Sequence, residues 1–324
     1  MKAWICNEWG PPSSLTLAEA EAPRPGPRQV SIDVELAAAN FPDILMMAGT
    51  YQVRPPLPFI PGIEVSGTVA SVGAEVEGLR TGERVTAVLN HGGFAQRAVA
   101  DDIQTFRVPD GMDMEAAVAL PTAYGTAYRA LVDRGGLRPG ETLLVLGAAG
   151  GVGLAAVELG RILGARVIAA AGTEAKLALA ARHGAAHGVD YTRESLRDRV
   201  REITDGAGAD LILDPVGGDA FHQALGCIAR EGRLLVIGFA SGHIPDVPAW
   251  RVLKSECSVI GVLYGGRRKP EQARANFARM LEWHLQGRLH PHVSATFAFD
   301  QVPAAYGALI DRSATGKVLV RVRD

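Results

Sequence analysis

Hydrophobic positions change their rhythm near residue 121. Upstream, short β-branched runs over residues 30–36, 65–72, 84–88 and 94–98 are separated by turn signals such as Pro25-Gly26-Pro27, Pro61-Gly62 and His91-Gly92-Gly93. Apolar runs of that length, bounded by Pro and Gly, predict strands of a compact β-rich domain. Downstream the pattern alternates. Apolar runs at 143–146, 167–170, 188–189, 211–213, 234–237 and 259–263 predict six strands, and stretches at 153–163, 176–182, 194–203 and 220–229 predict helices among them. Short strands alternating with helices imply a parallel sheet covered on both faces, and six of them complete a doubly wound nucleotide-binding fold. Near the end, a helix at 271–286 and a strand at 318–322 are expected to return to the first domain. The chain is therefore read as α/β in two domains. The first is discontinuous, 1–120 and 265–324, and the second, 121–264, binds the nucleotide.

Composition agrees with two cores: the chain has 324 residues, of which 48% are hydrophobic and 21% charged. The net charge is −2 and the basic residues are scattered, which argues against nucleic acid or an anionic membrane as the main partner. Only Cys6, Cys227 and Cys257 are present, far apart, so no disulfide framework or paired-cysteine metal site can be built. The opening residues lack the apolar stretch of a secretory signal, and no apolar run is long enough to span a bilayer. A cytoplasmic protein with no membrane partner is expected.

The strongest local signal runs Leu143-Leu144-Val145-Leu146-Gly147-Ala148-Ala149-Gly150-Gly151-Val152-Gly153. An apolar strand enters a glycine turn that opens a helix, where unpaired N–H groups and the helix dipole hold a pyrophosphate. Ala149, Gly150, Gly151 and Val152 are the candidate phosphate-binding residues. A glycine stretch can also mark a mere packing turn, but here the strand, helix and six-strand alternation supply the confirming context. An NAD site usually ends its second strand with a carboxylate that holds the ribose. This strand ends Ala171-Gly172-Thr173, with Lys176 on the next helix and Tyr191 after the third strand. Room, hydroxyl donors and a positive charge suit the 2′-phosphate of NADPH. Two readings stay open against it: Lys176 as a solvated lysine, and Glu174 as a helix cap or ribose ligand.

Further motifs extend over nearly the whole chain: Asn40-Phe41-Pro42-Asp43, Gly49-x-Tyr51, Pro58-Phe59-Ile60-Pro61-Gly62-Ile63-Glu64-x-x-Gly67, Gly82-Glu83-Arg84-Val85, Leu120-Pro121-x-Ala123-x-Gly125-Thr126-Ala127-Tyr128 and Gly316-Lys317-Val318. With the Ala148–Gly153 turn, they resemble the medium-chain dehydrogenase/reductase superfamily, in its zinc-free quinone oxidoreductase branch of zeta-crystallin-like proteins. The resemblance implies a GroES-like β-barrel for the first domain, a Rossmann second domain, an active site in the cleft between them and a homodimer formed through the nucleotide domain. Residues 259–263 offer an edge strand for that dimer. Zinc alcohol dehydrogenases of the superfamily carry Cys and His where this chain has Asn40 and Ile63. An isoleucine cannot ligate zinc, so no metal is expected. His290 and His292 could bind one in principle, although a solvated or locally bonded pair fits a polar loop better. His183 and His187, parted by Gly184, should not share a helical face.

Without a Lewis acid, hydride transfer to a quinone or enone is easier than oxidation of an alcohol, because the acceptor is already electrophilic and its oxyanion needs only hydrogen bonds. Resemblance places Asn40 near the nicotinamide and Tyr51 at the rim of the substrate cleft, the two candidate catalytic donors. Each has a plainer alternative, Asn40 bonding local backbone and Tyr51 packing its ring. Thr126 matches a position beside the nicotinamide or else caps a helix. Val216, Phe239 and Ser241 follow strands at the end of the sheet where a cofactor lies. Arg312 approaches the nucleotide from the tail or is a surface arginine. Asp43 and Glu64 are read as structural or supporting groups. The expected activity is an NADPH:quinone reductase with a small-molecule acceptor. Its rivals are an enone or enoyl-thioester reductase, for which Arg54, Arg267, Arg268 and Lys269 are available to bind CoA, and a non-catalytic NADPH-binding protein.

Overall fold

The computed structural model describes residues 1–264 and 269–323. Arg267 and Arg268 lie outside the described residues. The chain forms two compact units, one of Met1–Thr122, Gly265–Leu285 and His290–Asp324, the other of Ala123–Tyr264 and Gln286–Leu289.

The first unit opens with β1 (Lys2–Ile5) and β2 (Thr16–Glu19), an antiparallel pair. There follow β3 (Gln29–Ala39), α1 (Phe41–Met47), β4 (Glu64–Val72), β5 (Arg84–Val88), β6 (Arg97–Asp101), β7 (Thr105–Arg107) and α2 (Met114–Ala119). β3 alternates inward residues such as Ile32, Val34 and Leu36 with partly exposed Asp33 and Glu35, the period of a strand with one face in the core. The run expected at 94–98 becomes a strand only from Arg97, since Phe94 and Ala95 pair singly with β1 and Phe94 with Pro61 instead.

The second unit contains α3 (Gly125–Tyr128), β8 (Thr142–Leu146), α4 (Gly151–Ile162), β9 (Arg166–Ala171), α5 (Glu174–Arg182), β10 (His187–Asp190), α6 (Leu196–Ile203), β11 (Ala209–Asp214), α7 (Gly218–Gly226), β12 (Ile228–Val236), α8 (Ala249–Ser255) and β13 (Ser258–Gly261). The sheet order is β10-β9-β8-β11-β12-β13 with every pair parallel. That is the doubly wound order whose reversal, between β8 and β11, opens a crevice at the carboxyl ends of the strands. Leu143–Leu146 are fully buried, as both-face coverage requires. Thr173 caps α5 by accepting from Lys176 N, and Ser195 caps α6 from Asp198 N, each cap worth about 1 kcal/mol. The helix expected over 220–229 ends three residues sooner. Ile228 already pairs with Ala209, so backbone pairing in the sheet overrides the helical pattern there.

The tail returns to the first unit with α9 (Pro270–Leu285), β14 (Val293–Ala298), α10 (Val302–Ile310) and β15 (Lys317–Arg321). β15 pairs antiparallel with the end of β3 and completes the sheet β14-β15-β3-β4-β5-β7, with β6 also on β3. Phe277 of α9 stacks on Phe106 at 4.2 Å between ring centres. β14 and α10 escaped the sequence reading: one alternates weakly and the other is apolar nearly all round, its Tyr306 fully buried. No helix of the described residues is long and apolar enough to cross a membrane.

Candidate functional site

In the second unit, the expected phosphate-binding turn lies between β8 and α4. Gly150 is the residue before α4, Ala149 is buried, and Gly150 is exposed. A Cβ added at Gly153 would collide with the carbonyl oxygen of Gly147, so only glycine lets the helix approach its own turn this closely. The helix start is thus brought against the strand end with its N–H groups free of side-chain caps.

Beside this turn, at the end of β9, Gly172 lies against Thr192 and Tyr191. A Cβ there would meet Thr192 Cγ2 at 3.3 Å and Tyr191 Cε2 at 3.6 Å. Tyr191 is held by a tight turn in which Asp190 accepts from the Thr192 hydroxyl at 2.6 Å and from its N–H at 3.0 Å. Those bonds, the hydroxyl's first, hold the Asp190 carboxyl below its usual range. The Thr173 hydroxyl is spent as an acceptor on the helix cap but can still donate, and Lys176 is half-buried one turn on. Glu174 is exposed at the first position of α5, where it favours the helix dipole.

Across the strand reversal, Asp214 accepts from Val216 N at 2.7 Å and Gly217 N at 2.9 Å. Burial raises its pKa and those two bonds oppose the rise. Ser241 N donates to Val216 O at 2.9 Å, which joins Val216 to the Phe239–Ser241 loop. Thr126 is buried on α3, whose residue Gly125 packs against Tyr264. Ala149–Val152, Gly172, Thr173, Tyr191, Val216, Phe239 and Ser241 therefore all stand at the carboxyl ends of strands of one sheet. Lys176 is on the adjoining helix. Arg312 belongs to the first unit, in a left-handed turn with φ of 55° just after α10.

The first unit holds a different kind of site. Asn40 precedes α1, and Asp43, three residues on, accepts from its backbone N–H at 2.9 Å in a capping box. The Asn40 amide donates to Ala38 O at 3.1 Å and Glu64 Oε2 at 3.3 Å, while its oxygen accepts from Lys317 Nζ at 2.8 Å. Lys317 also donates to Glu64 Oε2 at 2.7 Å, and Glu64 Oε1 accepts from Thr122 N at 2.7 Å. Glu64 and Asp43 are wholly buried and Lys317 is 4% exposed. A buried charge is tolerable only with this degree of pairing. Burial pushes the Asp43 acid up to about 7, against the opposing pull of Asn40 N–H, Tyr306 and Lys317. Tyr51 stands at the edge of the same region. Burial, then the charge of Asp43, raises its phenol above the usual range. Its hydroxyl bonds no other described residue.

Both amide N–H groups of Asn40 are therefore directed inward, toward backbone and Glu64. This corrects the expectation that Asn40 donates to an acceptor, because a side chain with both N–H groups engaged has no donor to offer. Lys317 and Tyr306 were not among the candidate site residues. The one available signal for Lys317 was its place in Gly316-Lys317-Val318. No spacing rule could bring residue 317 to residues 40 and 64.

Comparison with known proteins agrees with this architecture. Residues 26–110 match the alcohol dehydrogenase GroES-like domain, and residues 151–283 match the family described as zinc-binding dehydrogenase. The chain is 40% identical to quinone oxidoreductase-like protein 2 homolog of Nematostella vectensis over 99% of its own length and 89% of that protein. It is 31% identical to human quinone oxidoreductase, covering 99% and 97%. Its fold superposes on the quinone oxidoreductase of Thermus thermophilus, solved alone and in complex with NADPH, with a TM-score of 0.85 at 35% identity, covering 99% and 100%. The chain belongs to the medium-chain dehydrogenase/reductase superfamily, among its quinone oxidoreductase-like members. It is an oxidoreductase with a GroES-like domain and a Rossmann-type domain.

One family description names zinc, and the residues present do not fit it. Among the described residues no three His, Cys, Asp or Glu side chains gather to hold a metal ion. The Asn40 oxygen and Glu64 Oε2 already share an ammonium, and Ile63 has no donor atom. His292 Nε2 lies 3.2 Å from Thr315 Oγ1, His183 Nδ1 lies 3.9 Å from Glu158 Oε2, and His187 is bonded to Arg166. As expected, His183 ends α5 while His187 begins β10.

Proposed function

We propose that the protein is a zinc-independent, NADPH-dependent reductase that transfers a hydride to quinones or related activated acceptors. The observation that carries the reading is the end of β9: the strand that would present a carboxylate to an NAD ribose ends instead in Gly172, with Tyr191, Thr192, Thr173 and Lys176 beside it. A 2′-phosphate needs donors and a positive charge at that point, and no carboxylate to repel it. The NADPH complex of the Thermus thermophilus relative supports the same cofactor. Bound NADPH supplies the hydride and the redox chemistry.

In this reading the turn Ala149-Gly150-Gly151-Val152 binds the pyrophosphate with backbone N–H groups. Gly172, Thr173, Lys176 and Tyr191 bind the adenosine end. Val216, Phe239 and Ser241 shape the crevice toward the nicotinamide. Thr126 is a further cofactor contact from the same unit. Tyr51 donates the hydrogen bond that an acceptor oxygen needs as negative charge develops on it, because its hydroxyl is free and Asn40's amide is not. The zinc-free assignment rests on the donor set, in which a lysine ammonium, an amide and an isoleucine stand where ligands would be needed.

We further assign a homodimer through the nucleotide-binding unit. β13 is the edge of its sheet, and Trp250, Leu253 and Ile244 nearby are exposed, at 61%, 79% and 76%. An uncovered edge strand and an apolar patch of this kind are what a partner covers. All three cysteines are free and buried, which supports the reducing cytoplasm as the working compartment.

The deciding experiment is the initial rate of NADPH oxidation, with NADH in parallel and a chelator present. The acceptors are 1,4-benzoquinone, 9,10-phenanthrenequinone, an alkenal and crotonyl-CoA. Chelator-resistant turnover that is fastest with NADPH and a quinone is expected. Faster turnover of crotonyl-CoA would make the protein a thioester reductase, chelator-sensitive activity would overturn zinc independence, and tight NADPH binding without turnover would make it a non-catalytic binder.

A further inference from the structure

Asp43 is a carboxyl group with an uneven set of partners. Its Oδ2 accepts from Asn40 N, while Oδ1, fully buried, completes no hydrogen bond of good geometry. The buried hydroxyl of Tyr306 on α10 is in the same position, although the two groups are close enough to act on each other. Every charged or titratable group around them is identifiable. Lys317 comes from β15, Glu64 from β4, Tyr306 from α10 and Tyr51 from the loop after α1. Cys6, at the end of β1, acts on Tyr306.

Charge counting decides what this arrangement tolerates. Lys317 and Glu64 neutralise one another at 2.7 Å. An ionised Asp43 therefore leaves one uncompensated negative charge in a region closed to water, and a protonated Asp43 leaves none. The same charge bears on Tyr51, since a neighbouring anion makes a phenol a poorer acid and a weaker hydrogen-bond donor.

We propose that Asp43 is a positioning residue that works as the carboxylic acid: while it keeps its proton the buried group of Asp43, Asn40, Glu64 and Lys317 is neutral and Tyr51 donates to the acceptor's oxyanion, and its ionisation switches that donor down. The inference rests on the assignment of Tyr51 as the acceptor-side donor made above. Asp43 touches neither acceptor nor cofactor in this scheme, and it acts through Tyr51 and through the local field. The carboxyl's pKa of about 7 puts the change within the range of ordinary assays.

Two measurements test it. In the cofactor-free protein, the infrared carbonyl band of a protonated carboxylic acid is followed from pH 5 to pH 9. A band lost with a midpoint near 7, and missing from Asp43→Asn, is expected. Tyrosinate absorbance is then titrated, with the Tyr51 signal identified by its loss in Tyr51→Phe. That signal should move to lower pH in Asp43→Asn. In the holoenzyme, wild-type kcat/KM for quinone should fall through the midpoint to a lower plateau, and Asp43→Asn should remove that decline. Tyr306→Phe gives a second variant and should shift the midpoint without abolishing it. Absence of the wild-type carboxylic band above pH 5, or a decline that persists in Asp43→Asn, overturns the proposal alone. Wild-type turnover with no acceptor at any pH overturns the functional reading, and the proposal falls with it.

Discussion

The two candidate sites are built on opposite principles. The turn between β8 and α4 is made of backbone: its N–H groups come from consecutive residues, and its key requirement is that Gly153 carry no side chain. The cluster at Asn40 is made of side chains from β4, β15 and the end of β3, with Lys317 separated from Asn40 by 277 positions and from Glu64 by 253. A local backbone site tolerates change in everything except size and turn geometry. A long-range polar site tolerates almost no change in chemistry, because each buried group depends on the others. The first should therefore fail in binding, and the second in stability and pH response.

Removing the cation is the sharpest way to break that contrast. Lys317→Met leaves Glu64 charged and buried with only Thr122 N and the Asn40 amide, so urea unfolding should show a loss of about 3–5 kcal/mol. A loss below 1 kcal/mol would mean the cluster relaxes or hydrates. The next largest effect is the pH dependence contributed by Asp43. Its folded pKa of about 7 lies above the 3.8 of an ordinary aspartate, so between these values the folded chain binds a proton that the unfolded chain does not. This contribution is full below about pH 4 and is lost as pH rises through 7, a span of order 4 kcal/mol at about 1.36 kcal/mol per unit. The difference in unfolding free energy between wild type and Asp43→Asn should accordingly fall with rising pH and flatten above 7. A difference independent of pH would remove Asp43 from the set of titrating groups.

Substitutions in the nucleotide turn should act more weakly on stability and more strongly on ligand. Gly153→Ala puts a methyl against the Gly147 carbonyl and should cost roughly 1–3 kcal/mol of stability, with NADPH affinity falling at least about tenfold by fluorescence titration. Unchanged affinity would show that the turn does not hold phosphate. Gly172→Asp places a carboxylate at the end of β9, beside Tyr191. It should lower the NADPH-to-NADH affinity ratio by roughly ten- to a hundredfold, with little change in melting temperature. The smallest effect is expected of Thr173→Ala, about 1 kcal/mol from the lost cap of α5, read by thermal unfolding.

These differences also mark how far the sequence could be read. The six strands of the doubly wound sheet, the glycine turn and the Gly172 position were legible, because each is a statement about neighbours within some twenty residues and about patterns of period two or 3.6. Errors fell at junctions. The 220–229 helix stopped at Gly226 because Ile228 was claimed by the sheet, and the strand expected from Phe94 began at Arg97 because Phe94 bonds elsewhere. Asn40 was assigned a donor's part that its folded surroundings leave no room for. Its amide has two N–H groups, and only the folded chain shows Ala38 and Glu64 taking both.

By itself, then, the sequence determined the class of fold, the glycine turn between β8 and α4, and the lack of a carboxylate at the end of β9. All three follow from local propensity, hydrophobic period and the presence or absence of a side chain. Tertiary structure alone decided that Lys317 closes the charge balance of Glu64, that Asn40 faces inward, and that Asp43 and Tyr306 are enclosed together without full hydrogen bonding. The physical reason is that burial and pairing set the charge state of a polar group, and both depend on residues that only the folded chain brings together.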